Sequence, residues 1–168
     1  PLNENNFRYE KEIGGGALLD AGAYPVKASQ MFFGNNIQHL SSTLAINEKG
    51  VDIMGSAHLL AKRSIPIHLT WGFDNYYQCQ IEILGTKGKI TTDRSFTAGI
   101  GFSPSIIIEN NAEIKKIKLK PDNHFDKILN AFQGDVKNGL FEKNIKEIEF
   151  QSFLLTQIQT KSQINEIL

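Results

Sequence analysis

From Ile65 to Phe73 the chain alternates, with Ile65, Ile67, Leu69, Trp71 and Phe73 on one side and Pro66, His68, Thr70 and Gly72 on the other. A period of two is that of a half-buried strand, one face on a core and the other turned away from it. The same pattern recurs on both sides. Gln38 to Asn47 reads as a strand, Asn47-Glu48-Lys49-Gly50 as a hairpin turn, and Val51, Ile53, Gly55, Ala57 and Leu59 then alternate with more polar neighbours. Further on, Cys79, Ile81 and Ile83 alternate up to the turn Gly85-Thr86-Lys87-Gly88, a short strand covers 89–92, and 106–109 with 113–120 form a last hairpin.

Helical spacing appears in three places. An apolar run from about Gly16 to Phe33 ends at Gly34-Asn35-Asn36. Asp122 or Asn123 caps a helix on which Phe125, Ile128, Leu129, Phe132 and Val136 recur, and Asn138-Gly139 stops it. A terminal helix from about Lys146 carries Phe150, Phe153, Leu154, Ile158 and Ile167. Phe7 and Tyr9 suggest a short strand in the polar leading segment. Hairpin-linked strands with so few helices predict an α+β fold: a largely antiparallel, open-faced sheet of six to seven strands with helices packed on one face. The uncovered face would show Met54, Ser56, His58 and Leu60 beside His68 and Thr70. It is expected either to bury itself in a homo-oligomer or to remain a solvated half-polar sheet.

Composition narrows the class. At 168 residues, 40% hydrophobic and 21% charged, the chain fits one globular domain with a proper core. Lys plus Arg and Asp plus Glu each count 18, so no basic excess points to nucleic acid or an anionic membrane. The lone Cys79 has no intramolecular disulfide partner and fits a reducing, cytoplasmic compartment. No stretch has the length of a membrane span, and no signal-peptide pattern opens the chain. His39, His58, His68 and His124 lack metal-ligand spacing, so no metal site is expected. Because the chain starts at Pro1, it is expected to be a fragment or a processed product.

Gly14-Gly15-Gly16 frees the backbone just before the first helix, whose unpaired N–H groups and positive dipole end suit a phosphate, a carboxylate or a developing oxyanion. Asp20 and Tyr24 lie four apart and project from one face, and Pro25 should bend the helix beside them. The glycines are not a dinucleotide fingerprint, since no βαβ unit and no third spaced glycine accompany them, and no Lys-Ser or Lys-Thr comes after them to make a P-loop.

The run Gly14-Gly15-Gly16-Ala17-Leu18-Leu19-Asp20-Ala21-Gly22-Ala23-Tyr24-Pro25 resembles the G-G-G-x-L-x-D-x-G-x-[YH] signature of the Gfo/Idh/MocA oxidoreductases, and Phe7-Arg8 and Gly85-Thr86-Lys87-Gly88 match in kind and order. The resemblance implies that residues 1–168 are the C-terminal substrate-binding and oligomerisation domain of an NAD- or NADP-dependent enzyme. Such an enzyme moves hydride to or from a sugar-like or nucleotide-sugar-like substrate. It further implies an N-terminal Rossmann domain, absent from this chain, that binds the nucleotide and carries a lysine in an E-K-P-type motif. The fragment alone is then expected to be inactive and to bind the cofactor weakly.

On this resemblance Tyr24 is the acid/base or oxygen-polarising group, and Asp20 a ligand for a substrate hydroxyl or an orienting partner. A reduced carbonyl needs a proton donor within reach of its oxygen, which a tyrosine beside positive charge or donors can supply. The plain alternatives are a boundary tyrosine and a first-turn helix carboxylate. Arg8 would grip an anionic or hydroxylated substrate, or be a surface arginine. Lys27 would supply positive charge beside the phenol, or be a solvated lysine. Gly14, Gly15 and Gly16 would let a substrate or the nicotinamide end of the cofactor lie against the backbone. The competing function is a non-catalytic binding or assembly module on the same scaffold.

Overall fold

The structure, a computed structural model, describes residues 6–96 and 98–166. In chain order its elements are α1 (Ala23–Phe33), β1 (Ile37–Ile46), β2 (Asp52–Ala61), β3 (Ile65–Gly72), β4 (Ile81–Gly85), β5 (Gly88–Thr92), β6 (Ser105–Glu109), β7 (Ile114–Lys118), α2 (His124–Asn138), α3 (Glu142–Lys161) and β8 (Gln163–Glu166). The fold is α+β, as the alternation and the helical spacing predict. The described residues fall into two compact units, one comprising those up to Asn75 and from Phe141 onward, the other Tyr76–Leu140.

The first unit is a four-stranded sheet in the order β3-β2-β1-β8, with α1 and α3 against it. Val26 of α1, Leu44, Ala57, Leu59, Leu69 and Trp71 of the sheet, and Leu154 and Ile158 of α3 close one core. Leu59 and Leu154 are fully buried, which is worth about 1.5–3 kcal/mol for each such side chain. The hairpin at Asn47–Gly50 forms as its residues require: Asn47 Oδ1 accepts from the amides of Lys49 and Val51, and Gly50 takes a left-handed φ of 71°. On the face away from the helices, the pairing sets Ser41, His58 and His68 in one row and Thr43, Ser56 and Thr70 in the next.

The second unit is an antiparallel meander, β4-β5-β6-β7, together with α2. Asn123 caps α2 by accepting from the amide of Asp126, and Gly139 ends it in the left-handed region.

Four details depart from expectation. Among the described residues the strands are eight, and they divide into two sheets instead of running as one. The β2–β3 ladder runs to Gly72, with one further bond from the Phe73 amide to the Ile53 carbonyl at 2.9 Å, and the chain then turns through Asp74 and Asn75 to Tyr76, which is 97% exposed. The terminal helix starts at Glu142, four residues before Lys146, and ends at Lys161, because the Ser162 hydroxyl donates to the Ile158 carbonyl at 2.7 Å and the chain turns extended. The extended residues form β8, parallel to β1 over Thr43–Ile46; Ile167 lies outside the described residues. Finally, Phe7–Tyr9 is a single 3₁₀ turn capped by Asn6 and not a strand.

Candidate active site

The glycine triplet folds onto the segment before it. The amides of Gly14, Gly15 and Gly16 donate to the carbonyls of Lys11, Glu10 and Arg8 at 3.1, 2.9 and 3.0 Å. A Cβ on Gly15 would stand 2.6 Å from the Arg8 carbonyl oxygen and 2.7 Å from that of Glu10, so only glycine allows this approach. The helix start beyond it is also occupied. Asp52, the first residue of β2, accepts from the Leu18 amide at 2.6 Å. Burial pushes the Asp52 carboxyl above its usual range, and the backbone amides at the helix start pull the other way without cancelling it. The carboxylate for which that helix start is suited is therefore the chain's own.

Between the triplet and α1 the helix opens with a π turn, Leu18–Gly22. Pro25, third residue of α1, has no N–H to donate to the preceding turn, and the widened turn lies immediately N-terminal to it. The irregularity expected at Pro25 thus falls one turn earlier. Gly22 keeps the turn against the sheet: a Cβ there would lie 3.0 Å from Trp71. Leu19, Asp20 and Ala23 consequently line open space.

Two clefts meet along this turn. The first, about 150 Å³, is lined by Phe7, Arg8, Gly14, Gly15, Gly16, Leu19 and Asp20. The second, about 410 Å³, is lined by Leu19, Asp20, Ala23, Tyr24, Lys27 and Gln151. Leu19 and Asp20 form their common wall. Tyr24 is 49% exposed and stands on the second cleft, neither sealed in the core nor turned from open space.

Charge is paired throughout. Arg8 Nε donates to Asp20 Oδ2 at 2.8 Å, which raises the Arg8 guanidinium further above its usual range and keeps it a cation. Lys27 Nζ donates to Glu147 Oε2 of α3 at 2.9 Å and to Gln30 Oε1 at 3.1 Å. The lysine in turn holds the Glu147 carboxyl below its usual range. Buried Gln30 donates to Asn35 Oδ1 and to the Glu147 carbonyl, tying α1 to α3 beneath the cleft.

All the residues singled out from sequence therefore line one or the other cleft, with Asp20 on both. Sequence reasoning missed Gln151, which reaches the second cleft from α3 and donates to the Ala23 carbonyl at 3.0 Å. It also missed Asp52. Neither carries a local signal, since each joins the site only through pairing across the fold.

Because the glycine amides and the helix start are already engaged, these residues offer no cradle for the phosphates of a dinucleotide. The second cleft offers the Tyr24 hydroxyl and the Lys27 ammonium to the reacting part of a small molecule, with the Asp20 carboxylate, paired to Arg8, on its wall. Among the described residues no cluster of His, Cys, Asp and Glu is suited to a metal ion. Among them, too, no helix is long and apolar enough to cross a membrane.

An α+β domain with an ion-paired aspartate on a π turn and a tyrosine on the first turn of the helix that follows is the class that the geometry defines. Residues 1–91 match the GFO/IDH/MocA C-terminal domain. A dTDP-3,4-didehydro-2,6-dideoxy-alpha-D-glucose 3-reductase of Saccharopolyspora spinosa is 34% identical over 140 residues, covering 83% of this chain and 42% of the relative. A relative with the same activity from Actinomadura kijaniata is 30% identical over 141 residues. A crystal structure of KijD10, a 3-ketoreductase from Actinomadura kijaniata in complex with NADP and TDP-benzene, superposes with a TM-score of 0.96 at 26% identity. That match covers all of this chain and 52% of KijD10. The chain belongs to the Gfo/Idh/MocA family of oxidoreductases, and it spans about half the length of the relatives it matches, or less.

Proposed function

We propose that this chain is the substrate-binding half of an NADP-dependent reductase acting on a keto group of a nucleotide-linked sugar, with an N-terminal Rossmann domain as its partner. The observation that carries the reading is Tyr24, half-exposed on a cleft of about 410 Å³, a volume within the ~300–1,000 Å³ of small-molecule sites. The dTDP-sugar 3-reductases among its relatives support the substrate class, and KijD10 with NADP supports the cofactor.

When bound, the nicotinamide supplies hydride to the carbonyl carbon. The Tyr24 hydroxyl donates its proton to the carbonyl oxygen as negative charge develops there, and in the reverse direction its phenolate takes the proton from the alcohol. Lys27, steered by Glu147 and Gln30, places positive charge on the same cleft. Gln151 gives the wall a polar amide facing sugar-sized space.

The test uses the full-length protein with NADPH and a dTDP-linked 3-keto-2,6-dideoxyhexose. NADPH oxidation is expected, and Tyr24→Phe should lower the chemical rate by roughly 10²–10⁴. Absence of NADPH oxidation overturns the reading, and unchanged turnover of the variant removes the role of Tyr24.

A further inference from the structure

Arg8 is held in two directions. Asp20 clamps its Nε at 2.8 Å, and the Phe7 ring lies behind its guanidinium, with the centroid 4.7 Å from Cζ. An ion pair in the guanidinium plane and a ring against its face fix the orientation of a group that otherwise swings freely. The remaining edge of the fork, Nη1 and Nη2, has no hydrogen-bond partner among the described residues, and the side chain is 31% exposed on the wall of the first cleft. Two parallel N–H donors on a fixed guanidinium match two oxygens of a phosphate or carboxylate. The first cleft, about 150 Å³, is half the lower bound for whole small-molecule sites. It takes a group and not a ligand. Its neighbour across Leu19 and Asp20 is the larger cleft with Tyr24, so one extended substrate can place an anionic group in the first and its reacting ring in the second.

We propose that Arg8 binds a phosphate of the nucleotide-sugar substrate, and that Asp20 is a positioning residue that holds the Arg8 fork and exchanges no proton with the substrate. The inference rests on the substrate class proposed above and assigns its anionic part to a residue. With Nε committed to Asp20, the fork can meet phosphate oxygens only with its outer edge, which sets the direction in which the substrate lies. Releasing Asp20 frees that orientation without removing the charge.

The experiment uses the full-length protein and dTDP, which lacks the reacting sugar, with binding measured by calorimetry. Arg8→Gln should weaken dTDP binding by about tenfold to a hundredfold, the range for loss of charge-assisted hydrogen bonds. Asp20→Asn should weaken it several-fold, and Tyr24→Phe should leave it within twofold. In turnover, Asp20→Asn should raise KM with kcat held within about threefold, a split that general loss of structure would not produce. Unchanged dTDP affinity in Arg8→Gln overturns the proposal, as does an Asp20→Asn variant that binds dTDP normally and loses kcat. Failure of the wild type to bind dTDP overturns it as well. Arg8-dependent dTDP binding without reduction of any dTDP-sugar would instead uphold the proposal and defeat the proposed reaction.

Discussion

The carboxylate of Asp52 does at the start of the first helix what an external anion was expected to do. It accepts from the Leu18 amide while lying largely out of water, and burial is the stronger influence on its protonation. The consequence for stability has a definite sign. In the unfolded chain an aspartate ionises near pH ~4, whereas in the folded chain Asp52 holds its proton to higher pH. Between those two points the unfolded state binds fewer protons, so this residue's contribution falls as pH rises and levels off once the folded carboxyl has ionised. Asp52→Asn keeps an acceptor for the helix start and should remove that decline. Asp52→Ala should cost about 0.5–2 kcal/mol through loss of the cap. Urea midpoints of the two variants and the wild type between pH 4 and 7 check both, and an Asn variant with the wild-type slope would refute the assignment. That Asp20 and Tyr24 share one cleft was legible in the sequence, because four-residue spacing on one helix fixes a common face; the roles proposed for them rest on the family motif. Asp52, Glu147 and Gln151 were not, because no local pattern says which strand or helix will arrive beside a given turn.

At the scale of elements, the π turn and the central strands depend on one side chain. Trp71, the only tryptophan, is 6% exposed and lies where Gly22 and Gly55 leave room for it. A Cβ on Gly55 would stand 2.6 Å from Trp71 Cζ2 and 2.8 Å from Leu44 Cδ2, both inside a closed core. Gly55→Ala should therefore cost about 1–3 kcal/mol by overpacking. The same variant should shift the tryptophan emission, and a chemical denaturation curve monitored by that fluorescence measures both. Strong alternation made β2 and β3 readable, since a period of two survives in any strand with one buried face, whereas in β1 a bulge between His39 and Ser41 breaks that period. β8 was not readable: Gln163, Asn165 and Glu166 leave Ile164 as its one apolar residue, and the helical spacing of α3 runs straight up to it. The division into two sheets was equally hidden. Periodicity reports that a strand is half-buried and says nothing about which neighbour it joins.

Over the whole molecule, the sheet of the first unit leaves one face without a helix. Its rows hold Gln38, Leu60 and Pro66; Ser41, His58 and His68; Thr43, Ser56, Thr70 and Gln163; then Ala45, Met54 and Asn165. None of these is Lys, Arg, Asp or Glu, although such residues make up 21% of the chain. A surface kept free of strong charge can be desolvated cheaply, and pairing two identical copies of it about a two-fold axis needs no matching of opposite charges. The His58 and His68 rings, edge to face at 4.6 Å, already pack against each other across β2 and β3. The homo-oligomer expected from the sequence is accordingly proposed to form through this face. Thr70 is exposed near its middle, so Thr70→Arg would bury a cation in each copy, at a penalty that a neutral interface cannot offset. In sedimentation at micromolar concentration the full-length wild type should run as an oligomer and Thr70→Arg as a folded monomer with an unchanged circular dichroism spectrum. A wild type that sediments as a monomer ends the proposal; an oligomer that survives the arginine moves the interface to another surface.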